Sequence, residues 1–167
     1  LSNQRPVALM NTIYKLFSII VNRRLTRIME ENGIIEQEQE GGRQHRGCLR
    51  QLQRLQWQLS DAKRRGKPLY ALWLDTANAF NSVNHQVIWS ILRGYGLPEA
   101  DVQFLETIHH GNRFSVSGPF GETAQVHMHA GVGQGDITSP LLWNLVINTL
   151  IRYLNGAGCG YQHESGV

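Results

Sequence analysis

Apolar side chains in the first part of the chain recur at helical spacing. Ile, Leu, Val and Met stand three or four positions apart between residues 13 and 29, and Gly33 offers a C-terminal stop. A second stretch repeats the spacing at Leu49, Leu52, Leu55 and Leu59. The pattern predicts two helices joined by a polar, glycine-containing segment over residues 36–47, with the second helix closing at residues 65–68.

A short apolar run over residues 69–74 has a different pattern. It is uninterrupted, too short for a helix, and bounded by Pro68 and Asp75. Such runs are typical of strands that are buried on both faces of a sheet. We therefore expect a buried strand here, with the Asp75 carboxylate held at its end.

The second half of the chain alternates helical and extended patterns. Helices are predicted over about residues 84–95, 98–110 and 139–155, because apolar spacing is bounded by Gly96, Pro98 and a glycine loop. Residues 112–117 and 122–129 are predicted to form a hairpin across the Gly-Pro-Phe-Gly sequence between them. This order of elements indicates an α+β fold.

Composition limits the class of protein. The chain has 167 residues, of which 41% are hydrophobic, enough for one domain or one incomplete large domain. No apolar run reaches membrane-spanning length, so no membrane contact is expected. Cys48 and Cys159 stand far apart without a pairing motif, which favours an intracellular compartment.

The charge is unevenly distributed along the chain. Residues 1–67 contain 13 Lys and Arg against six acids, a net charge of +7, whereas the remainder carries −4. This asymmetry favours contact of the first part with a polyanion and carboxylate chemistry in the second. Solvated helix faces are the alternative explanation.

Two segments offer candidate chemistry, each with a structural alternative. Asp75 at a strand end suits a hard cation, although an aspartate there can equally cap the next turn. The glycines at 131, 133 and 135 allow close backbone approach to a ligand before a helix N-terminus, although a plain connector needs them too. The loop matches neither the dinucleotide fingerprint nor the phosphate-binding P-loop.

Arginines and histidines add less. Arg43 and Arg46 lie among glycines, where two guanidinium groups could hold phosphate or simply remain on the surface. His127 and His129 alternate along one strand, and His109 and His110 end a helix. No third ligand has a suitable spacing, so we predict no zinc site.

Four segments, in chain order, contain motifs of a known kind. RPVALMN at residues 5–11, followed by YK and NRRL, is similar to the RPISLLN, YK and NRL opening of the reverse transcriptases of non-LTR retrotransposons. QEGGRQHRG from residue 39 resembles their Q.GFR..RS block. LWLDTANAFNSVNH at residues 72–85 and GVGQGD with SPLLWN from residue 131 resemble the polymerase A and B motifs.

The resemblance implies a helix-rich right-hand polymerase in which residues 1–67 form fingers and residues 68–167 form a partial palm. The palm of this family is a split βαβ, ferredoxin-like fold. The implied reaction is RNA-directed DNA synthesis, a nucleotidyl transfer that uses two Mg²⁺ ions. The implied partners are an RNA template, a DNA primer and deoxynucleotides.

The resemblance also assigns roles to residues. Asp75 matches the metal-binding catalytic aspartate, and the carbonyl of Thr76 would assist it. The family's nucleotide contacts match Phe80, Gln134, Gly135, Arg43 and Arg46. Arg5 and Lys15 match positions beside the nucleic acid.

Departures from the family pattern accompany the matches. Asn78, Asn81, Gly42 and the pair Ile137-Thr138 replace the usual Lys, Asp, Phe and Pro-Leu. The Asp-Asp C motif, which supplies the remaining metal carboxylates, does not occur in the 167 residues. One carboxylate cannot balance two divalent ions and a triphosphate, so the chain alone is expected to be inactive, with Mg²⁺ binding weak or absent.

Three functional hypotheses follow. The first is a fragment of an RNA-directed DNA polymerase, whose sheet edge is covered by the missing palm and thumb or by a partner protein. The second is a reverse-transcriptase-derived, non-catalytic module that binds RNA or protein. The third, an unrelated nucleotide-binding enzyme, is remote because the glycine loop fails the known fingerprints.

Overall fold

The computed structural model describes residues 7–162. Helices dominate this part of the chain. Their bounds are α1 Thr12–Glu31, α2 Cys48–Arg64, α3 Ala79–Ser82, α4 His85–Gly94, α5 Glu99–His109 and α6 Ser139–Gly156. The five long helices confirm the helical predictions to within two residues at each end.

Polar caps explain where two of these helices begin. The Asn11 side chain accepts a hydrogen bond from the Ile13 amide at 2.8 Å, which caps α1. Asn84 caps α4 in the same way, accepting from the Gln86 amide at 2.8 Å. Gly33 has a φ of +59°, so the left-handed turn after α1 falls on the residue that the sequence marked as its stop.

The predicted hairpin between α5 and α6 is confirmed, with an interruption. Its base pairs β1 Arg113–Phe114 with β4 Val126–His127, and its tip pairs β2 Ser117–Gly118 with β3 Gly121–Glu122. Two residues separate the pairs on one side and three on the other, so one extra residue bulges from the second side. All eight paired residues are exposed, and the hairpin projects from the body of the molecule.

The hydrophobic core lies between α4, α5 and α6. Ile88 and Leu92 of α4, Val102 of α5 and Leu142 of α6 are almost completely buried. Helix α1 adds Met29 on one side, and the two isoleucines that follow α1 complete the core. Helix α2 contributes little, since Asp61 and Ala62 are its only buried residues.

Helix α6 also holds the irregular segment that follows α1. Asn144 donates to the Gly41 carbonyl oxygen at 2.6 Å. Asn148, fully buried one turn later, donates to the Ile34 carbonyl and accepts from the Glu36 amide at 2.7 Å. Arg152 continues the row by binding the Glu36 carboxylate at 3.0 Å. One polar face of α6 therefore fixes residues 34–41.

The prediction of a buried strand at residues 69–74 is wrong. None of these residues is in a strand, and Tyr70, Leu72, Trp73 and Leu74 are each more than 70% exposed. A buried strand needs neighbouring strands to satisfy its backbone groups, and within residues 7–162 no strand pairs with this segment. The run is therefore irregular and uncovered.

These features agree with the helix-rich, α+β part of the predicted fold. The split βαβ palm and the division at residue 67 remain predictions. Among the helices of residues 7–162, none is both long and apolar enough to cross a membrane.

Candidate functional site

Asp75 lies in the irregular segment between α2 and α3. It is exposed, as is Thr76, and both follow the uncovered run of residues 69–74. Within residues 7–162, no group of three or more His, Cys, Asp or Glu side chains could hold a metal ion. Mg²⁺ takes six oxygen ligands, so Asp75 and the adjacent carbonyl do not complete a magnesium site by themselves.

Phe80 links the segment that contains Asp75 to the glycine loop and to α6. Its ring is half-buried and lies 6.2 Å from the ring of Trp143, centre to centre, at 45°. Asn78 precedes it in the left-handed conformation, with a φ of +51°, which turns the chain into α3. The Phe80 carbonyl accepts a hydrogen bond from the Val132 amide at 2.7 Å, so Phe80 touches the glycine loop directly.

Residues 80–85 hold one side of the glycine loop. The Gly131 amide donates to the Val83 carbonyl at 2.7 Å, beside the bond between Val132 and Phe80. His85 Nε2 lies 2.6 Å from the Gly131 carbonyl oxygen. Three hydrogen bonds therefore join the A-like segment, residues 72–85, to the B-like segment, residues 131–144, although 45 residues lie between the two in sequence.

Residues 8–10 hold the other side of the loop. The Ala8 amide donates to the Gln134 carbonyl at 2.7 Å. A Cβ atom at Gly135 would lie 2.5 Å from the Ala8 carbonyl oxygen, and one at Gly133 would lie 2.9 Å from the Met10 methyl group. Gly135 is therefore required by close approach of the protein's own backbone, as is Gly131, where a Cβ atom would lie 2.8 Å from the Asn81 carbonyl oxygen, whereas at Gly133 the neighbour is a flexible side chain.

The loop is fastened to the start of α6 as well. Ser139 donates its hydroxyl to the Gly133 carbonyl at 2.8 Å. Asp136, only 6% exposed, accepts from the Thr138 amide at 3.2 Å and from the Thr138 hydroxyl at 3.0 Å. The N-terminus of α6 thus has the Asp136 carboxylate beside it, a favourable charge for that end of a helix.

What the loop leaves open to a ligand is limited. The Gln134 side chain is half-exposed and Gly135 is exposed, whereas the first three residues of the loop are buried. Within the loop, any contact with a nucleotide would therefore involve Gln134 or Gly135.

Arg43 is buried and held by internal partners. It donates to the Glu30 carboxylate through Nε at 2.7 Å and through Nη2, and to the carbonyl oxygens of Glu36 and Gln39. This hydrogen bond from Arg43 is the largest factor that lowers the pKa of Glu30. The guanidinium serves the protein's own fold in this conformation.

Arg46 and Lys15 lie nearer to solvent. Arg46 donates to the Gln37 side chain at 2.9 Å and lies 3.8 Å from the buried Glu40 carboxylate. Lys15 is exposed on the first turn of α1. Arg5, the other predicted nucleic-acid contact, lies outside the described residues.

Sequence reasoning missed a polar cluster behind the loop. Tyr14 of α1 donates to Asp136 at 3.2 Å. The rings of His85 and of the buried His109 of α5 lie 6.4 Å apart, centre to centre, and the charge of Asp136 acts on His109. Burial lowers the pKa of His109, against a smaller opposing effect of Asp136. Tyr14 and Asp136 each stand inside a recognised motif, which is the one signal that could have marked them.

Comparison with known proteins identifies the family. Residues 1–163 match the reverse transcriptase (RNA-dependent DNA polymerase) family. The Pol polyprotein of the type-2 retrotransposable element R2DM of Drosophila melanogaster is 27% identical over 90% of the chain. The probable RNA-directed DNA polymerase of the Drosophila melanogaster transposon X-element is 30% identical over 86%, and a Xenopus laevis transposon TX1 protein is 29% identical over 92%.

The chain spans only a small part of these relatives, between 12% and 16% of their lengths. The match nevertheless covers nearly all of the chain, and it agrees with the four motifs and their order. The chain belongs to the reverse transcriptase family, and its relatives are polymerases of non-LTR retrotransposons.

Proposed function

We propose that this chain is the fingers and part of the palm of an RNA-directed DNA polymerase, which binds template, primer and incoming deoxynucleotide. The observation that carries the proposal is the direct hydrogen bonding between the A-like and B-like segments. Residues 131 and 132 donate to the carbonyl groups of Val83 and Phe80, both at 2.7 Å. The two segments that resemble the family's nucleotide site are therefore joined.

In the proposed site, Asp75 is the catalytic carboxylate and would bind Mg²⁺ with help from the Thr76 carbonyl. Phe80 lies under the sugar of the incoming nucleotide, and Gln134 and Gly135 pack against its base. Arg46, Lys15 and Arg5 contribute positive charge toward phosphates. Arg43 acts from beneath by fixing the segment that carries Arg46, because its own donors already have partners.

We further propose that the 167 residues alone do not polymerise, because they contain Asp75 without the Asp-Asp motif. Primer extension with the purified chain, a template, deoxynucleotides and magnesium tests this. No extension is expected. Synthesis that is abolished in Asp75→Ala would contradict it.

A complementary experiment tests the polymerase assignment itself. The chain is extended through its parent reading frame until an aromatic-x-Asp-Asp sequence is included, and extension of a primer is then expected. Asp75→Asn should abolish it, whereas Asp101→Asn, an exposed aspartate on α5, should leave it unchanged. A chain so extended that stays inactive, or that tolerates Asp75→Asn, would contradict the assignment.

Nucleic-acid binding is tested by its dependence on salt. The excess of positive charge in residues 1–67 predicts RNA affinity that falls steeply as salt rises, because each neutralised phosphate releases counterions. Fluorescence anisotropy at several salt concentrations measures the slope. An affinity that does not change with salt would remove the basic region from the proposal.

A further inference from the structure

A hydrogen bond between Tyr14 and Asp136 joins the first helix to the glycine loop. The Tyr14 hydroxyl donates to Asp136 Oδ2 at 3.2 Å, across 122 positions of sequence. Asp136 follows the Gln134-Gly135 pair directly. A bond at this point therefore acts on the part of the loop that is open to a ligand.

Asp136 is an anchor with defined partners on both oxygens. Its Oδ1 accepts from the Thr138 amide, and its Oδ2 accepts from the Thr138 hydroxyl and from Tyr14. Thr138 belongs to the same turn as Asp136, so Tyr14 is the partner that connects this turn to a different element. Loss of the Tyr14 hydroxyl would leave the turn intact but without its side-chain link to α1.

The first helix also controls a second attachment of the loop. Ala8, whose amide binds the Gln134 carbonyl, lies three residues before the Asn11 cap of α1. The Ala8 carbonyl also lies where a side chain at Gly135 would fall. The position of α1 is therefore transmitted to Gln134 and Gly135 both through the main chain of residues 8–10 and through Tyr14.

Tyr14 is suited to a permanent link. Its ring is half-buried, and burial together with the Asp136 charge raises the pKa of its hydroxyl above the usual 10.0. The hydroxyl remains protonated, and able to donate, throughout the neutral range.

We infer that Tyr14 is a positioning residue, which acts through Asp136 to hold Gln134 and Gly135 where they meet the incoming nucleotide. The inference rests on the proposed function for the role of those two residues. The link itself is independent of that role, because it concerns the loop's own rigidity.

Tyr14→Phe in the full chain tests the inference, since it removes one oxygen and keeps the ring. Hydrogen exchange of the backbone amides of residues 133–137 measures the rigidity of the loop. Binding of a fluorescent deoxynucleotide, with template-primer and magnesium present, measures positioning. A hydrogen bond to a charged group supports an expected change of about tenfold in each, as faster exchange and as weaker binding.

Three comparisons separate positioning from general stability. Tyr153→Phe changes a tyrosine that is 71% exposed on α6, and it should alter neither measurement. Exchange of the α4 amides should be the same in Tyr14→Phe as in the wild type. In an Asp136→Ala background, Tyr14→Phe should have a smaller effect on loop exchange than in the wild type, because the bond between the two residues is already absent.

The outcomes distinguish the inference from the proposed function. Loop exchange that is unchanged in Tyr14→Phe, or acceleration that extends equally to α4, would overturn the inference. A wild-type chain that binds no nucleotide would overturn the proposed function, and with it the positioning role. The tenfold local change in both measurements supports both.

Discussion

Arg43 and Arg46 stand three positions apart in one polar segment, and their surroundings differ. Only 4% of the Arg43 side chain is exposed, and four of its donor contacts are internal, whereas Arg46 lies at the rim with 18% exposed. Sequence pattern alone treats the two alike, because a single sequence does not show which guanidinium meets Glu30. Burial decides between a structural arginine and a phosphate contact.

Arg43→Lys is expected to lower the free energy of unfolding by about 2–3 kcal/mol, because one ammonium group cannot replace the paired contacts with Glu30 and two carbonyl groups. Urea denaturation measures the change. Arg46→Lys is the matched control, with an expected loss below about 1 kcal/mol. Equal losses in the two variants would show that burial does not distinguish them.

His109 makes stability dependent on pH. Burial lowers its pKa below the usual 6.5, opposed by the hydrogen bond with the Leu105 carbonyl and by the charge of Asp136, while His85 adds slightly to the decrease. The folded chain therefore binds this proton less tightly than the unfolded chain. The resulting stability is complete above about pH 6.5 and decreases as the pH falls below that value toward the folded pKa.

His109→Leu should weaken this dependence, since leucine has no group to titrate and the buried Nε2 atom of His109 has no hydrogen-bond partner among residues 7–162. Melting temperatures between pH 7.5 and about 5.5 test the prediction. His110→Leu, at the exposed neighbouring position, should retain the wild-type slope. A slope unaffected by His109→Leu would assign the acid sensitivity to other groups.

At the scale of elements, the segments packed against the glycine loop determine which residues fit in it. Gly135→Ala should destabilise the chain by about 2 kcal/mol or more, because φ is +123° and the new methyl group meets the Ala8 carbonyl oxygen. Gly156→Ala, with open space around it in α6, should be neutral or stabilising. Thermal unfolding of both variants measures this, and a tolerated Gly135→Ala would mean that residues 8–10 do not hold the loop.

Asn148 offers a second prediction for the elements. Its side chain is completely buried and has hydrogen bonds with Ile34, Glu36 and the Tyr95 hydroxyl. Asn148→Ala leaves these groups without partners, so a loss of about 2–4 kcal/mol is expected in urea denaturation. Asn155→Ala, an exposed position with longer bonds of 3.3 and 3.4 Å, should lose much less. Similar losses of unfolding free energy in both variants would show that the buried hydrogen bonds of Asn148 contribute no more than the exposed ones of Asn155.

The helices and the hairpin could be predicted because their signals are local. Apolar spacing, an Asn cap and a stop glycine all stand within the element that they define, as they do in α1. The run at residues 69–74 could not be assigned correctly by the same reasoning. An apolar run of this kind forms a buried strand only where other strands pair with it. The sequence of the run does not show whether those strands are present.

Relations between distant residues were predictable only through the family. The A-like and B-like segments were expected to share a site because the motifs resemble a polymerase, and the contact between Val132 and Phe80 agrees with that expectation. The bond between Tyr14 and Asp136 was not predicted, although each residue stands inside a motif that resembles the family. Neither residue carried an assigned role, and nothing in one sequence links positions 14 and 136.

At the scale of the whole molecule, the uncovered run at residues 69–74 predicts self-association. Leu72 is 83% exposed and Trp73 is 77% exposed, beside further apolar surface on α2. Leu72→Lys with Trp73→Lys should shift the chain toward monomer and leave its melting temperature unchanged, as analytical ultracentrifugation at several concentrations would show. Tyr153→Lys, at another exposed aromatic, should have little effect. Self-association that persists in the double variant would place the contact elsewhere.

The polar face of α6 has a consequence for the way these sequences diverge. Asn144 and Asn148 hold residues 34–41 chiefly through main-chain groups, which every amino acid except proline provides in full. Particular side chains are therefore required on α6, whereas many positions between residues 34 and 41 accept different side chains. Among related retrotransposon sequences, positions equivalent to 144 and 148 should change rarely. Residues equivalent to 34–41 should vary in side chain but keep the same number. An insertion between residues 34 and 41 should destabilise the fold more than a substitution does.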